Sequence, residues 1–258
     1  MHRIWAGPPG GIRSHAELAA RTDLELFVAD HVRRVLREDM PVRARESMPP
    51  RYLELEGERL VTLVTEWLCY EQTRVPFIVA ATELKANPTI AGLALRLRLD
   101  RVDRLNDRSL LVIDYKTGDV DPKMWNLPRP DDVQLPLYAA FALNTQAQEL
   151  GGLVFAKLRA GECKFEGRVK AAKQTLQVKL HSSANLVRKP LTPEDMAAWR
   201  EKIENLAQDF LAGRAIVDPR EYPNTCERCE LYALCRIQEI RESFDAGEGA
   251  NGQEGGDE

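Results

Sequence analysis

The 258-residue sequence lacks any apolar run approaching the ~18 residues that a membrane-spanning helix needs. Its first residues, MHRIWAGPPGG, lack the basic start and apolar stretch of a secretory leader. These absences predict a cytoplasmic protein with no membrane partner. An excess of basic charge is missing too. The net charge of −4 excludes a protein coated in basic residues, so any nucleic-acid site must be local. No segment repeats internally. Paired cysteines are also missing: there are five, and Cys226, Cys229 and Cys235 crowd together. In a reducing compartment such a cluster points to a metal more than to disulfides.

What is present is ordinary for a soluble globular chain. Hydrophobic residues make up 44% and charged residues 29%, which excludes a wholly disordered or collagen-like protein. The charge is uneven. Residues 157–189 carry nine Lys or Arg (157, 159, 164, 168, 170, 173, 179, 188 and 189) against Glu162 and Glu166. That stretch can follow a phosphate backbone or be a solvated hairpin and loop. Residues 242–258 hold six acids and no base, and their Gly-rich composition predicts a disordered tail.

Periodicity predicts helices over Asp23–Glu38 and about Glu54–Tyr70, each with one apolar stripe. The period then changes. Phe77–Ala81 reads as a short strand. Ala91–Asp103 alternates, with Leu93, Leu95, Leu97 and Leu99 on one face and Arg96, Arg98 and Asp100 on the other. Leu110–Tyr115 is a third strand. Asp131 or Asp132 caps a helix through about Leu143. Gly152–Arg159 and Lys164–Lys170 are further strands, and Thr192-Pro193-Glu194-Asp195 opens a last helix that Gly213 stops. Helices, a central sheet with a helix crossing it, and a cysteine-bearing end describe an α/β fold.

The informative stretch is LRLRLDRVDRLNDRSLLVIDYKTG, Leu95–Gly118. If Leu105–Ser109 is a hairpin loop, Arg104 faces Leu110, and stepping back sets Asp100 opposite Asp114 with Cβ atoms ~5 Å apart. Period two puts Lys116 on the side of Asp114. Two carboxylates forced together repel unless a cation joins them, and Asp oxygens suit a hard ion such as Mg²⁺ or Mn²⁺. Such an ion makes a nucleophile of water near neutral pH and offsets charge on a phosphoryl oxygen, while Lys116 adds a fixed cation. The bland alternative is a charged hairpin whose Asp and Lys pair with Arg101 and Arg104 at the surface.

Asp100 followed by Val-Ile-Asp114-Tyr115-Lys116-Thr117-Gly118 resembles the PD-(D/E)XK nuclease superfamily in its RecB/AddB-like branch. That branch also carries Gln-x-x-x-Tyr, matched by Gln134 and Tyr138, where the amide can reach a metal-bound water or the DNA backbone. Trp67–Phe77, Glu83 and Phe155–Gly167 extend the similarity to the C-terminal nuclease domain of bacterial DNA repair proteins. The resemblance implies a restriction-endonuclease-like core: a central mixed β-sheet flanked by helices. It divides the chain into a helical part (1–75), a nuclease core (76–215), a cysteine segment (216–240) and a tail (241–258). It implies a Mg²⁺- or Mn²⁺-dependent exonuclease in DNA repair, with DNA and a helicase-type repair protein as partners. The alternative is a degenerate nuclease fold that grips DNA ends without cutting.

The family also uses a histidine as a metal ligand. His2, in His2-Arg3-Ile4-Trp5, fits its His-Arg-x-apolar pattern, and His31 competes from within a good helix. Glu83 either supports the site or pairs with Lys85 or Arg98. Cys226, Cys229 and Cys235 follow C-x₂-C-x₅-C, a spacing that suggests zinc or an iron–sulfur cluster, both of which usually take four protein ligands. In the AddB-like branch a fourth cysteine precedes the histidine and completes a [4Fe–4S] site. No residue upstream of His2 supplies it here. Cys69 reads as a packing residue and Cys163 as part of a turn, so the cluster is expected to be incomplete.

Overall fold

The computed structural model describes residues 1–5, 10–143, 149–170, 190–219, 222–227, 229–237 and 239. The expected tail at 241–258, and Lys173, Lys179, Arg188 and Lys189 of the basic stretch, lie outside the described residues. The chain divides into two compact units, Met1–Gln208 and Asp209–Glu258.

The first unit opens with helices α1 (His2–Trp5), α2 (His15–Ala19), α3 (Leu24–Arg34), α4 (Val42–Ser47) and α5 (Pro50–Glu71). The Ser14 hydroxyl accepts from the Glu17 N–H and starts α2, and Pro50 occupies the first turn of α5, where its missing N–H costs nothing. Strands β1 (Phe77–Ala86), β2 (Thr89–Ile90), β3 (Leu93–Ala94), β4 (Leu97–Leu105) and β5 (Leu110–Lys116) follow. A 3₁₀ turn (Pro122–Trp125), α6 (Gln134–Leu137) with its π-helical continuation (Tyr138–Ala142), β6 (Leu150–Lys157), β7 (Lys164–Val169) and α7 (Pro193–Leu211, its last three residues counted with the second unit) come next.

The main sheet runs β1-β4-β5-β6-β7. Every neighbouring pair is antiparallel except β5 and β6. A parallel pair requires a crossover, and the 3₁₀ turn with α6 provides it. This is the α/β, mixed-sheet architecture expected of a restriction-endonuclease-like core. One face of the sheet, with Leu111, Ile113, Val154 and Phe165, packs against α1–α3 and α5. The other, with Val112, Leu153 and Phe155, packs against Trp125, α6 and α7.

Three local expectations change. β1 runs on to Ala86 instead of stopping near Ala81. The alternating run Ala91–Asp103 is not one strand: Ala91 and Gly92 take left-handed φ of 50° and 96°, and turn the chain between β2 and β3. Alternation reports that one side is buried, and it cannot see a reversal in which Ile90 and Leu93 face the same core from paired strands. The helix expected from Asp131 or Asp132 begins at Gln134, whose N–H is taken by Oδ1 of Asp132, and it widens to a π-helix at Tyr138.

In the second unit, Pro223 and Leu231 carbonyls accept from the N–H groups of Cys226 and Cys235, and α8 (Tyr232–Cys235) is a single turn. No helix among the described residues is long and apolar enough to cross a membrane.

Candidate nuclease site

The β4–β5 ladder has the register that a five-residue loop predicts. Arg104 faces Leu110, and the pairing ends at Arg101 with Ile113, one step before Asp100 would meet Asp114. The strands part there. Oδ2 of Asp100 accepts from the Tyr115 backbone N–H at 3.0 Å and ties the two strands together where the ladder stops. Opposite Asp100 on the other side, Glu83 in β1 has a left-handed φ of 50°. Side-chain alternation breaks at this level: Leu99 and Val102, three positions apart, enter the same core cluster.

Asp114 is buried, with one oxygen hydrogen-bonded and the other in ion-pair contact only. Oδ1 accepts from Nε2 of Gln134 at 2.7 Å, and Oδ2 lies 2.8 Å from Nζ of Lys116. Lys116 in turn donates to Oε1 of Gln134 at 2.9 Å. The one amide therefore clamps both ends of the Asp-x-Lys pair. Nε2 of Gln134 also meets the Tyr138 hydroxyl at 3.0 Å, which donates to the Arg98 carbonyl at 2.7 Å. The Gln134–Tyr138 face of α6 is thus fastened to β4 as well as to β5.

Burial pushes the Asp114 carboxyl above its ordinary value, opposed by Lys116 and reinforced by the negative charge of Asp100 and Asp132. Partial burial works against the Lys116 charge, but its bond to Asp114 prevails and holds the ammonium above its usual range. Each of Asp114 and Lys116 favours the charged form of the other, as opposite charges in contact do.

His2 lines a cleft of about 190 Å³ with Trp5, Thr82, Glu83, Asp100 and Tyr115. Its Nδ1 lies 3.0 Å from the Thr82 hydroxyl. His31 is elsewhere. It is buried on α3, bonds the Phe27 carbonyl through Nδ1 at 2.8 Å and stacks near the Phe27 ring. Glu83 pairs with Arg98 at 2.9 Å.

Arg101 and Arg104 do not neutralise the site. Arg104 is exposed, and Arg101 belongs to a fully buried network that the sequence reading missed. Arg101 bonds both oxygens of Glu71 (2.8 and 3.1 Å) and both of Asp103 (2.6 and 2.8 Å). Arg74 adds bonds to Glu71 and Asp103, and Trp67 donates to Glu71. Arg101 reaches the Tyr115 hydroxyl at 3.0 Å and lies over the Trp5 ring. No local signal marked the network, because Arg101 and Asp103 stand in a strand that also carries Arg98, Asp100 and Arg104. Through Tyr115, this network braces the residue between Asp114 and Lys116.

The described half of the basic stretch is neutralised internally. Lys157 and Arg159 pair with Asp119 and Glu162, Lys164 with Glu162 and Glu166, and Lys170 with Glu149. Arg168 is buried beside Asp195 and Asn126, near the Trp125 and Trp199 rings. Sequence spacing gives the charges of these residues but not the acids that fold against them.

Among the described residues, no three or more His, Cys, Asp or Glu gather as a metal-holding group. Cys226 is buried, Cys229 and Cys235 are half-buried, and none of the five cysteines among the described residues is in a disulfide. As arranged, the three cysteines do not fit zinc or an iron–sulfur cluster. Cys69, expected to be a packing residue, is exposed, and Cys163 is half-buried with its thiol 3.6 Å from the Arg159 carbonyl. The carboxylates are a different case. Mg²⁺ is commonly held by one or two carboxylates plus substrate phosphates, with no all-protein cage, and Asp100 and Asp114 at the parting strand ends supply that donor set.

No curated protein matches the chain. The family model for the PD-(D/E)XK nuclease superfamily matches residues 6–236, spanning every element from α2 to the cysteine segment. The chain belongs to the PD-(D/E)XK nuclease superfamily.

Proposed function

We propose that this protein is a Mg²⁺- or Mn²⁺-dependent deoxyribonuclease of the RecB/AddB-like branch, an exonuclease acting in DNA repair. The observation that carries the reading is Gln134 clamping Asp114 and Lys116 beside Asp100. A lone Asp–Lys pair is common on surfaces. A buried Asp with one oxygen, and its lysine partner, both positioned by one amide is the pre-arrangement that electrostatic catalysis requires.

In this reading Asp100 and Asp114 hold the ion, and His2 contributes from the cleft that Asp100 lines. The ion supplies charge neutralisation at a phosphoryl oxygen and a more acidic water. Lys116 brings a fixed positive charge to the developing negative charge on phosphate. Gln134 keeps Lys116 and Asp114 in register, and Tyr138 holds Gln134 through its own bond to the Arg98 carbonyl.

The test is degradation of linear and circular DNA by the purified chain with Mg²⁺ or Mn²⁺, and its loss on chelation. Loss of linear DNA with circular DNA spared supports exonuclease action. Cutting of both overturns that part. DNA that is bound but left intact under both metals replaces the enzyme with an end-binding module.

A further inference from the structure

The hairpin between Leu84 and Leu99 carries Lys85, Arg96 and Arg98, and no acidic residue. All three cations are exposed, Arg98 with two thirds of its side chain (66%) in solvent. Lys85 and Arg96 have no ion pair among the described residues. This contrasts with Lys157, Lys164 and Lys170, each of which has its acid.

The hairpin is held rigidly by its other side. Ile90 and Leu99 are buried, and Leu84, Leu93, Leu95 and Leu97 pack onto the cluster that contains Leu135 and Tyr138. The cations are therefore displayed outward on a fixed support. Lys85 and Arg98 are direct partners across β1 and β4. Like charges directly opposite on a sheet repel, so this pairing works against the fold and gains from an anion placed over it. The patch also leads somewhere. Arg98 reaches Glu83 on the rim of the cleft that holds Asp100, and its carbonyl anchors Tyr138.

We propose that this hairpin is the phosphate track of the protein, on which Lys85, Arg96 and Arg98 grip the nucleic-acid backbone and feed it toward Asp100 and Asp114. The proposal rests on the nuclease reading and names the surface that holds its substrate. It assigns the DNA path to the hairpin and not to residues 157–170.

The experiment measures binding of a labelled linear duplex to the full chain, in chelator so that nothing is cut, across 50 to 200 mM salt. Each phosphate contact contributes roughly 0.9 to the slope of log affinity against log salt. Lys85→Gln with Arg96→Gln should lower that slope by about 1.8, and raise KM for cleavage with kcat unchanged. Lys164→Gln with Lys170→Gln removes the same formal charge from paired residues and should leave the slope as it was. Both residues of the first variant are exposed, so its Tm should not fall. An unchanged slope in Lys85→Gln/Arg96→Gln, or a lowered Tm, overturns the track while cleavage by the unaltered protein still supports the nuclease. An unaltered protein that neither binds nor cuts DNA overturns both.

Discussion

Tyr115 donates its backbone N–H to Oδ2 of Asp100 at 3.0 Å, at the step where the β4–β5 ladder ends. The same residue receives a bond from buried Arg101 on its hydroxyl at 3.0 Å. The carboxylate at the opening of the strands and the charge network beneath them therefore meet in one residue, the first through its backbone and the second through its side chain.

Asp114→Asn keeps the shape of the side chain and its bond from Gln134 but removes the charge facing Lys116. Cleavage should fall at least about 100-fold with the protein still folded, and Lys116→Ala should lose a similar factor in kcat. Rates under Mg²⁺ and Mn²⁺, read beside thermal unfolding, check this. Cleavage that persists in Asp114→Asn removes the pair from the mechanism.

Gln134→Ala frees Asp114 and Lys116 from their shared clamp, and a 10- to 100-fold loss of activity or metal affinity is expected, roughly the cost of losing a partner that orients ligands. Tyr138→Phe leaves the clamp but loses the bond to the Arg98 carbonyl, costing about 1 kcal/mol of stability and less of the rate. Metal titrations of the two variants should separate them. Equal effects would mean that Gln134 acts only as part of the helix.

His2→Ala should weaken metal-dependent cleavage without moving Tm, because His2 is exposed and its contact is with Thr82. His31→Ala should do the reverse, losing about 1 to 3 kcal/mol through the vacated space beside Phe27 and leaving activity per folded molecule intact. Exchanged phenotypes would make His31 the functional histidine.

Arg101→Met leaves Glu71 and Asp103 with less compensation in the interior, and about 3 to 5 kcal/mol of stability should be lost in a denaturant titration. Glu71 gives this network a pH signature. Burial pushes its carboxyl up, but Arg101 and Arg74 outweigh it and hold the group below its ordinary 4.5. The native state then binds fewer protons than the unfolded one, so the contribution is complete above about 4.5 and is lost as pH falls through the lowered value. Glu71→Gln should flatten the acid limb of stability against pH. An unchanged limb would show that the network contributes nothing there.

Asp100, Asp114 and Lys116 could be placed near one another from the sequence because period two and a five-residue loop decide which residues of two strands meet. Gln134 and Tyr138, by contrast, were singled out only by the resemblance to the family's Gln-x-x-x-Tyr element. The α/β class followed from helical periodicity giving way to alternating strands. Tertiary structure alone decided the rest. Ile90 and Leu93 share a core across a reversal that alternation cannot register, since it records which side is apolar and not where the chain turns. Arg101 and Asp103 look like surface charges until Glu71 and Arg74, about thirty residues upstream, neutralise them in the interior. The cations from Lys157 to Lys170 look available until Asp119 and Glu149 arrive from other parts of the chain. Local periodicity determined which side chains share a face. Whether a charge on that face is free for DNA, buried or already paired depended on acids far away in sequence, which only long-range packing brings within ion-pair distance.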